Sequence, residues 1–313
     1  MVPEGRDNPR MHLMIPFAAP GSEAGRQALA ALALPNLSAL LAGAGEPETD
    51  PGEEQSLSPP HERALARALG LAGPDGGLPW GAWWAAQDGH APSDLAWGQL
   101  TPCHWHLAVD QVTLTDPEDL QLDEATSRGL LAAVQELFDS EGFVLLYGAP
   151  TRWSLAHPSL NELPTASPDR VIGRSIDPWL PRSARLWRRL QNEVQMRWHE
   201  HPLNAAREAR GLPPVNSLWL SGCGPHQPAA WPAGLLIDDR LRRPALAEDW
   251  GAWMAAWQAL DAGPVAALRG REARLTLCGE RSVAAWALHP PTALQRLTSQ
   301  FRRADPLAIL EIL

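Results

Sequence analysis

Apolar positions in this chain recur with two periods, and the switches between them lay out a mixed α/β order. His12 to Phe17 (HLMIPF) is an apolar run of strand length. A Pro/Gly turn and a helical stretch from Glu23 to Leu32 follow, and Leu34 to Leu41 reads as a second helix that stops at Gly43 and Gly45. A strand–turn–helix opening of this kind begins an α/β unit. His61 to Leu69 is a further helix ended by Gly70. Residues 43–60, acidic and rich in Pro and Gly, read as a solvated loop or linker, and residues 73–93, rich in Gly and Trp, as irregular.

The middle of the chain reads as α+β. Leu107 to Leu114 alternates apolar and polar, as a half-buried strand does, and Asp123 to Ser140 is a helix with Leu130, Val134 and Leu137 on one face. Phe143–Tyr147 and Trp153–Ala156 form a hairpin around Gly148-Ala149-Pro150. Leu186, Leu190, Val194 and Trp198 recur at four-residue spacing opposite Arg185, Arg188, Arg189 and Glu193, which gives an amphipathic helix over 183–200, ended by Pro202. Ser217 to Leu220 is a short strand running into Gly222 and Gly224. Beyond it, Leu235–Ile237, Arg274–Cys278 and Ser282–Leu288 read as strands, and Asp249–Leu260 as a helix with Trp250, Trp253 and Trp257 on one side. The segment from Pro306 is apolar, and no internal repeat is visible.

Composition narrows the chemistry. A chain of 313 residues with 45% hydrophobic and 20% charged residues carries enough core for one large domain or two ordinary ones. Its formal net charge of -10 argues against nonspecific binding to nucleic acid or to an anionic membrane. All 26 basic residues are Arg. The lack of Lys removes Schiff-base and pyridoxal chemistry and Walker-type phosphate loops, and Arg clamps anions without acting as a tuned base. The three cysteines, Cys103, Cys223 and Cys278, form neither a CxxC pair nor a disulfide framework, and no export signal or apolar span stands out; a cytoplasmic location is expected.

Several residue groups could carry chemistry, each with a plain structural alternative. His104 and His106 fall on one face of a strand and supply half of a metal site, or the polar side of a half-buried strand. Asn204 and Arg207, three apart, could grip a phosphate or carboxylate, or Asn204 could cap a helix beginning near Ala205. Arg170 and Arg174 add to an anion pocket or form surface salt bridges. His199 and His201 do not share a face, and both favour a helix C-terminal dipole.

HPLNAAREARGLPPVNSLWLSGCG, residues 201–224, resembles the H-P-x-N, Arg, Gly and P-x-N-x-x-W-x-x-G-x-G run of the archaeal-type cofactor-independent phosphoglycerate mutases, members of the alkaline-phosphatase superfamily. DRVIGRSIDPWLP (169–181) resembles the family's segment just before that helix. Asp94–Trp97 followed by His106–Val109 is similar to its G-D-x-A-F-R-x-N strand region, LPNLSALLAGAG to its T-P-N-L-D-x-L-A helix, and LTLCGERS (275–282) to its late Asp-His-Ser strand. The five strings are collinear. A narrower resemblance runs to bacterial regulatory proteins of the RpfE type.

The resemblance implies a three-layer α/β core of alkaline-phosphatase type, assembled from residues 10–90 and 230–313, with an α+β domain, 91–229, inserted between them. It adds His201 and Asn216 to Arg170, Arg174, Asn204 and Arg207 as candidates for holding a small phosphate or carboxylate ligand. It also implies two divalent metals held by Asp and His, and a Ser that takes the phosphoryl group. Those residues are missing. Ile15-Pro16-Phe17 stands where the first Asp belongs, and Ser58 sits in a Ser-Pro-Pro turn without a following Asp. No His occurs between Ile237 and Arg274, and Glu280-Arg281 replaces the late Asp-His. The leading expectation is therefore a non-catalytic relative without cofactor or metal, acting by binding a small anion or a protein partner. The competing one is a metal-dependent phosphoryl-transfer enzyme with relocated ligands, drawn from His61, His104, His106 and Glu280; a purely structural subunit is a third.

Overall fold

The computed structural model describes residues 11–91, 94–181, 183–290, 306–311 and 313. The strands are β1 (Met11–Ile15), β2 (Glu48–Asp50), β3 (Ala96–Cys103), β4 (Trp105–Leu107), β5 (Val112–Leu114), β6 (Val144–Ala149), β7 (Arg152–Ala156), β8 (Ser217–Pro225), β9 (Leu235–Ile237), β10 (Ala273–Cys278) and β11 (Val283–Leu288). The helices are α1 (Glu23–Ala30), α2 (Pro35–Leu41), α3 (Pro60–Leu69), α4 (Trp80–Gln87), α5 (Glu124–Ser140), α6 (Pro168–Val171), α7 (Arg185–His199), α8 (Pro202–Glu208), α9 (Arg242–Leu246), α10 (Trp250–Leu260) and α11 (Pro306–Leu310). The chain divides into two compact units: residues up to Gln55 with Pro59–Leu69 and Ala230 onward, and Ser56–Ser58 with Gly70–Ala229. Residues 70–90, expected with the first unit, pack in the second.

The first unit is a three-layer α/β structure. Its five-stranded sheet runs β2-β11-β10-β1-β9, with β1 parallel to both β9 and β10, and β11 antiparallel to β10 and β2. Both faces of β1 are covered, since Leu13, Met14 and Ile15 are each at most 1% exposed. Strand alternation sends Leu13, Ile15, Leu275, Leu277, Ala284 and Trp286 to one face, where Leu29, Leu37, Trp253, Trp257 and Leu260 of the helices cover them. Met14, Cys278 and Val283 point the other way and meet Ala64 of α3. Helix α2 has no side-chain cap of its own: Leu34 precedes it. The buried carboxylate of Asp261 does this work from far along the chain, accepting the Asn36 N–H at 3.1 Å and the Leu37 N–H at 2.7 Å.

The second unit is α+β. An antiparallel sheet ordered β6-β7-β3-β8 buries one face under α5 and α7, through Leu100, Trp153, Leu155 and Leu220 against Leu130, Val134, Leu190 and Trp198. Two of its Trp residues are tied by their N–H groups: Trp153 donates to Ser127 Oγ at 3.0 Å and Trp198 to the Leu130 carbonyl at 3.3 Å. The opposite face, with Trp97 and Ala156, receives Ala82 and Ala85 of α4. This helix was not expected from the sequence. Trp80, Ala82, Trp83 and Ala85 are all buried, so no polar stripe marks a helical period. It sits so close that a Cβ on Gly81 would come 2.4 Å from the Gly98 carbonyl carbon. Two further corrections concern β structure. Residues 107–114 are not one strand but the hairpin β4–β5, turning where the Ala108 N–H donates to the Gln111 carbonyl. Residues 48–50, inside the expected loop, pair with β11 as an edge strand.

Gly81→Ala drives a methyl into the β3 backbone and should lower stability in urea unfolding by about 1–3 kcal/mol. Gly45→Ala, with nothing within 4 Å of the added Cβ, serves as the neutral control. A second outcome is pH-dependent. His12 lies across from Arg274 in the β1–β10 pair and its Nε2 meets Thr276 Oγ1 at 2.9 Å. Burial first, then the Arg274 charge, lowers its pKa from 6.5 to about 4. The folded protein therefore holds His12 neutral, and the unfolded chain takes up the proton first as pH falls. That contribution to stability is complete above pH 6.5 and declines between 6.5 and about 4. His12→Gln should flatten this part of the stability–pH profile.

Candidate functional site

The stretch 201–216 carries most of the ligand candidates, and the structure gives each a backbone partner. His201 is the N-cap of α8, its Nδ1 accepting the Leu203 N–H at 3.2 Å. Asn204 is 2% exposed. Its amide donates to the carbonyls of Trp198 (2.9 Å) and Val215 (2.8 Å) and accepts the Val215 N–H at 2.9 Å. It thus ties the end of α7 to the segment entering β8. Arg207 is also buried, with Nε on the Pro213 carbonyl at 3.1 Å and a terminal nitrogen on the Leu120 carbonyl at 2.5 Å. Burial lowers its pKa from the ordinary value, while the Asp123 carboxylate opposes the shift. Asn216 pairs its amide with Trp105, accepting that residue's N–H at 2.7 Å and donating to its carbonyl at 2.9 Å.

The two remaining arginines do not join them. Arg170 is buried, donates from Nε to the Ser56 carbonyl at 2.9 Å and lies over the Trp179 ring at 5.6 Å. Arg174 is exposed. His104 and His106 are neighbours, ring centroids 6.4 Å apart, but His104 Nδ1 is engaged by the Pro214 carbonyl at 2.9 Å. Among the described residues, no group of three or more His, Cys, Asp or Glu side chains is placed to hold a metal ion.

The carboxyl ends of the first unit's parallel strands are where an open α/β sheet ordinarily binds ligands. After β1 the chain turns at Phe17 with φ of 56°, a conformation a bulky residue adopts only when held there. Two indoles hold it: Trp253 donates to the Phe17 carbonyl at 3.0 Å and Trp257 to the Ala18 carbonyl at 3.1 Å. The Ala18 N–H donates to Cys278 at 2.7 Å, and the Phe17 ring lies 5.0 Å from His61. After β9, Asp238 is chelated by Arg240 at 2.7 and 2.8 Å. Farther along, Asp249 caps α10 and Asp261 caps α2. After β10, the Arg281 carbonyl accepts from Arg63, which also pairs with Asp50 at 3.1 Å, and the Glu280 side chain fills the space beside Gly21.

These donors do not fit the two divalent metals that the mutase resemblance implies. Each carboxylate named is already paired with an arginine, caps a helix or is packed against backbone, and Phe17, Trp253 and Trp257 offer no ligand. Ser58, nearest the expected nucleophile position, is buried, and its Oγ accepts the Gly76 N–H at 2.9 Å. Cysteine chemistry is no better placed. Cys103, Cys223 and Cys278 are free and buried, and burial raises all three thiol pKa values, that of Cys223 to about 12.

One concave surface in the second unit was not foreseen. The β4–β5 hairpin and α7 enclose a groove of about 770 Å³, lined by Trp105, Leu107 and Val112 on one side and Asn192, Gln195 and Met196 on the other. Leu107 is 73% and Met196 78% exposed. The available signal was Met196, an apolar residue on the polar face of an amphipathic helix.

No protein-family model matches the chain, and no curated protein matches it. Among solved structures it is similar to a cofactor-independent phosphoglycerate mutase from Thermoplasma acidophilum DSM 1728, at 15% identity over 97% of this chain and 99% of that one, with a TM-score of 0.36. It is also similar to the PH0037 protein from Pyrococcus horikoshii, at 14% identity over 96% of this chain and 92% of the other, with a TM-score of 0.45. No helix among the described residues is long and apolar enough to cross a membrane.

The hydrogen-bond assignments order the expected losses. Asn204→Ala leaves a buried N–H and two buried carbonyls without that amide and should cost about 3 kcal/mol in urea unfolding. His201→Ala removes one cap and should cost about 1 kcal/mol. Arg174→Ala, at an exposed position, should stay within about 0.5 kcal/mol of the parent.

Proposed function

We propose that this chain is a non-catalytic relative of the cofactor-independent phosphoglycerate mutases and that it works by binding a protein partner. The reading rests on one observation above the others. At the strand ends where the resemblance puts metal ligands, the Phe17 and Ala18 carbonyls are each held by an indole N–H and Asp238 by a bidentate arginine. A bidentate Arg–carboxylate pair competes directly with a metal for the same oxygens. Of the two binding roles expected from sequence, a small anion is the weaker, because His201, Asn204, Arg207 and Asn216 already hold backbone groups. A protein partner suits the apolar groove of the second unit. A regulatory role of the kind suggested by the RpfE-type resemblance would be exercised through that partner, and three reduced thiols fit a cytoplasmic setting.

The test is direct. Purified protein incubated with 3-phosphoglycerate and Mn²⁺, Mg²⁺ or Zn²⁺ should show no 2-phosphoglycerate by ³¹P NMR. Chelator and 3-phosphoglycerate should each leave the melting temperature unchanged, since only a species bound to the folded state raises it. Mutase turnover, or tightly held stoichiometric metal, would overturn the reading.

A further inference from the structure

The groove between the hairpin and α7 is bordered by a strand edge with hydrogen-bonding groups to offer. In β4–β5 the bonded pairs are set by the Thr115 N–H on the His104 carbonyl and the Ala108 N–H on the Gln111 carbonyl. Antiparallel alternation then makes His106 and Thr113 a bonded pair and turns the N–H and C=O of Trp105 and Leu107 away from β5. At Trp105 that outward edge is met by the Asn216 amide, which supplies an acceptor at 2.7 Å and a donor at 2.9 Å, as one residue of a neighbouring strand would. Two residues on, Leu107 presents the same pair of groups beside the groove, with its side chain 73% exposed. The far wall is one stripe of α7, Asn192, Gln195, Met196 and His199, with Glu200 at its C-terminal end. The stripe continues toward the helix N-terminus as Arg185 and Arg188, both exposed and neither in an ion pair among the described residues. In a chain of net charge -10, this leaves a local cationic end on an apolar channel.

We propose that this groove takes an extended segment of a partner polypeptide, which adds to the β4 edge at Leu107 as a short strand. The segment carries apolar side chains at alternate positions, facing Trp105 and Met196, and acidic residues at the end that meets Arg185 and Arg188. Main-chain bonds to an open edge give such peptides affinity, and alternate side chains give them specificity. The acidic end adds the charge complementarity that fixes register. This inference rests on the reading of the chain as a binding protein and names the chemistry of its partner.

A displayed library of random peptides of about ten residues, long enough for a strand, is selected on the whole protein and counter-selected on Met196→Arg. Recovered peptides should show alternating apolar positions with Asp or Glu clustered at one end. In fluorescence polarisation, Met196→Arg and Leu107→Pro should each weaken the best peptide about tenfold or more. Leu107→Pro removes the outward N–H without touching the His106–Thr113 pair, and both side chains are largely exposed, so folding is preserved. Arg188→Glu should weaken it by a factor that shrinks at high salt. Deuterium exchange at the Leu107 amide should slow on binding. No enrichment over the Met196→Arg counter-target overturns the proposal, as does a recovered motif with helical spacing. A particle of twice 34.0 kDa that Met196→Arg returns to monomer would assign the groove to a second copy instead. Mutase turnover would sink the non-catalytic reading while leaving these peptide results standing.

Discussion

Two indole N–H groups fix the turn that follows the first strand of the first unit. Trp253 and Trp257, one helical turn apart on α10, donate to the consecutive carbonyls of Phe17 and Ala18. Those carbonyls belong to the turn that follows β1, and its backbone is left-handed at Phe17. An unsupported residue of that kind costs of order 1 kcal/mol or more, and an unpaired buried carbonyl costs about as much again. The indoles offset both by pinning the turn where Ala18 also reaches the Cys278 carbonyl. The same aromatic residues build the core under β1 and β10. Core packing and the shape of the strand ends therefore cannot be varied separately. A metal site at this place would need carboxylates where the fold now needs aromatic bulk.

The second unit solves a different problem with polar side chains. Its connections between α7, α8 and β8 carry backbone groups that neither helix nor sheet satisfies, and every buried one needs a partner. Gln191 answers the Leu218 carbonyl, Asn204 the Val215 main chain, Arg207 the Pro213 and Leu120 carbonyls, and Asn216 the Trp105 main chain. Long amides and a guanidinium suit this because they bring several donors to one point. These are also the residue types that grip phosphate. Sequence alone does not separate the two uses, since both want an Arg and an Asn a helical turn apart.

What was legible in the sequence follows from the same physics. Strands β1, β9, β10 and β11 and helices α1, α2, α3, α5, α7 and α10 have either an apolar run bounded by turns or one apolar stripe, and the pattern finds them. Helix α4 has neither, being buried on nearly all sides through its Trp and Ala residues, so only the fold reveals it. The hairpin at 105–114 keeps its alternation through the turn and reads as one strand. At the strand ends, the departures from the mutase pattern were visible as residue types, but the hydrogen bonds that now hold those positions were not. That Asp261 serves α2, 225 residues from Asn36, is a tertiary fact with no local mark. The groove was hidden for a related reason: Met196 and Leu107 come together only when α7 and the hairpin are folded against each other.

An exposed strand edge beside exposed apolar residues is ordinarily a hazard, because it templates pairing with any chain that meets it. Here the edge is held to three residues, one of them already occupied by the Asn216 amide, so a stray strand finds only Leu107 to bond. Backbone pairing alone at one residue is too little to hold a chain, given the entropy of ordering it. Any stable occupant must draw the rest of its binding from side chains against α7. Selectivity thus resides on the helix, in Met196 and the arginines that precede it, while the strand supplies direction. The short edge and the cationic stripe are complementary constraints: the first keeps the groove from binding indiscriminately, and the second gives a partner of opposite charge reason to bind.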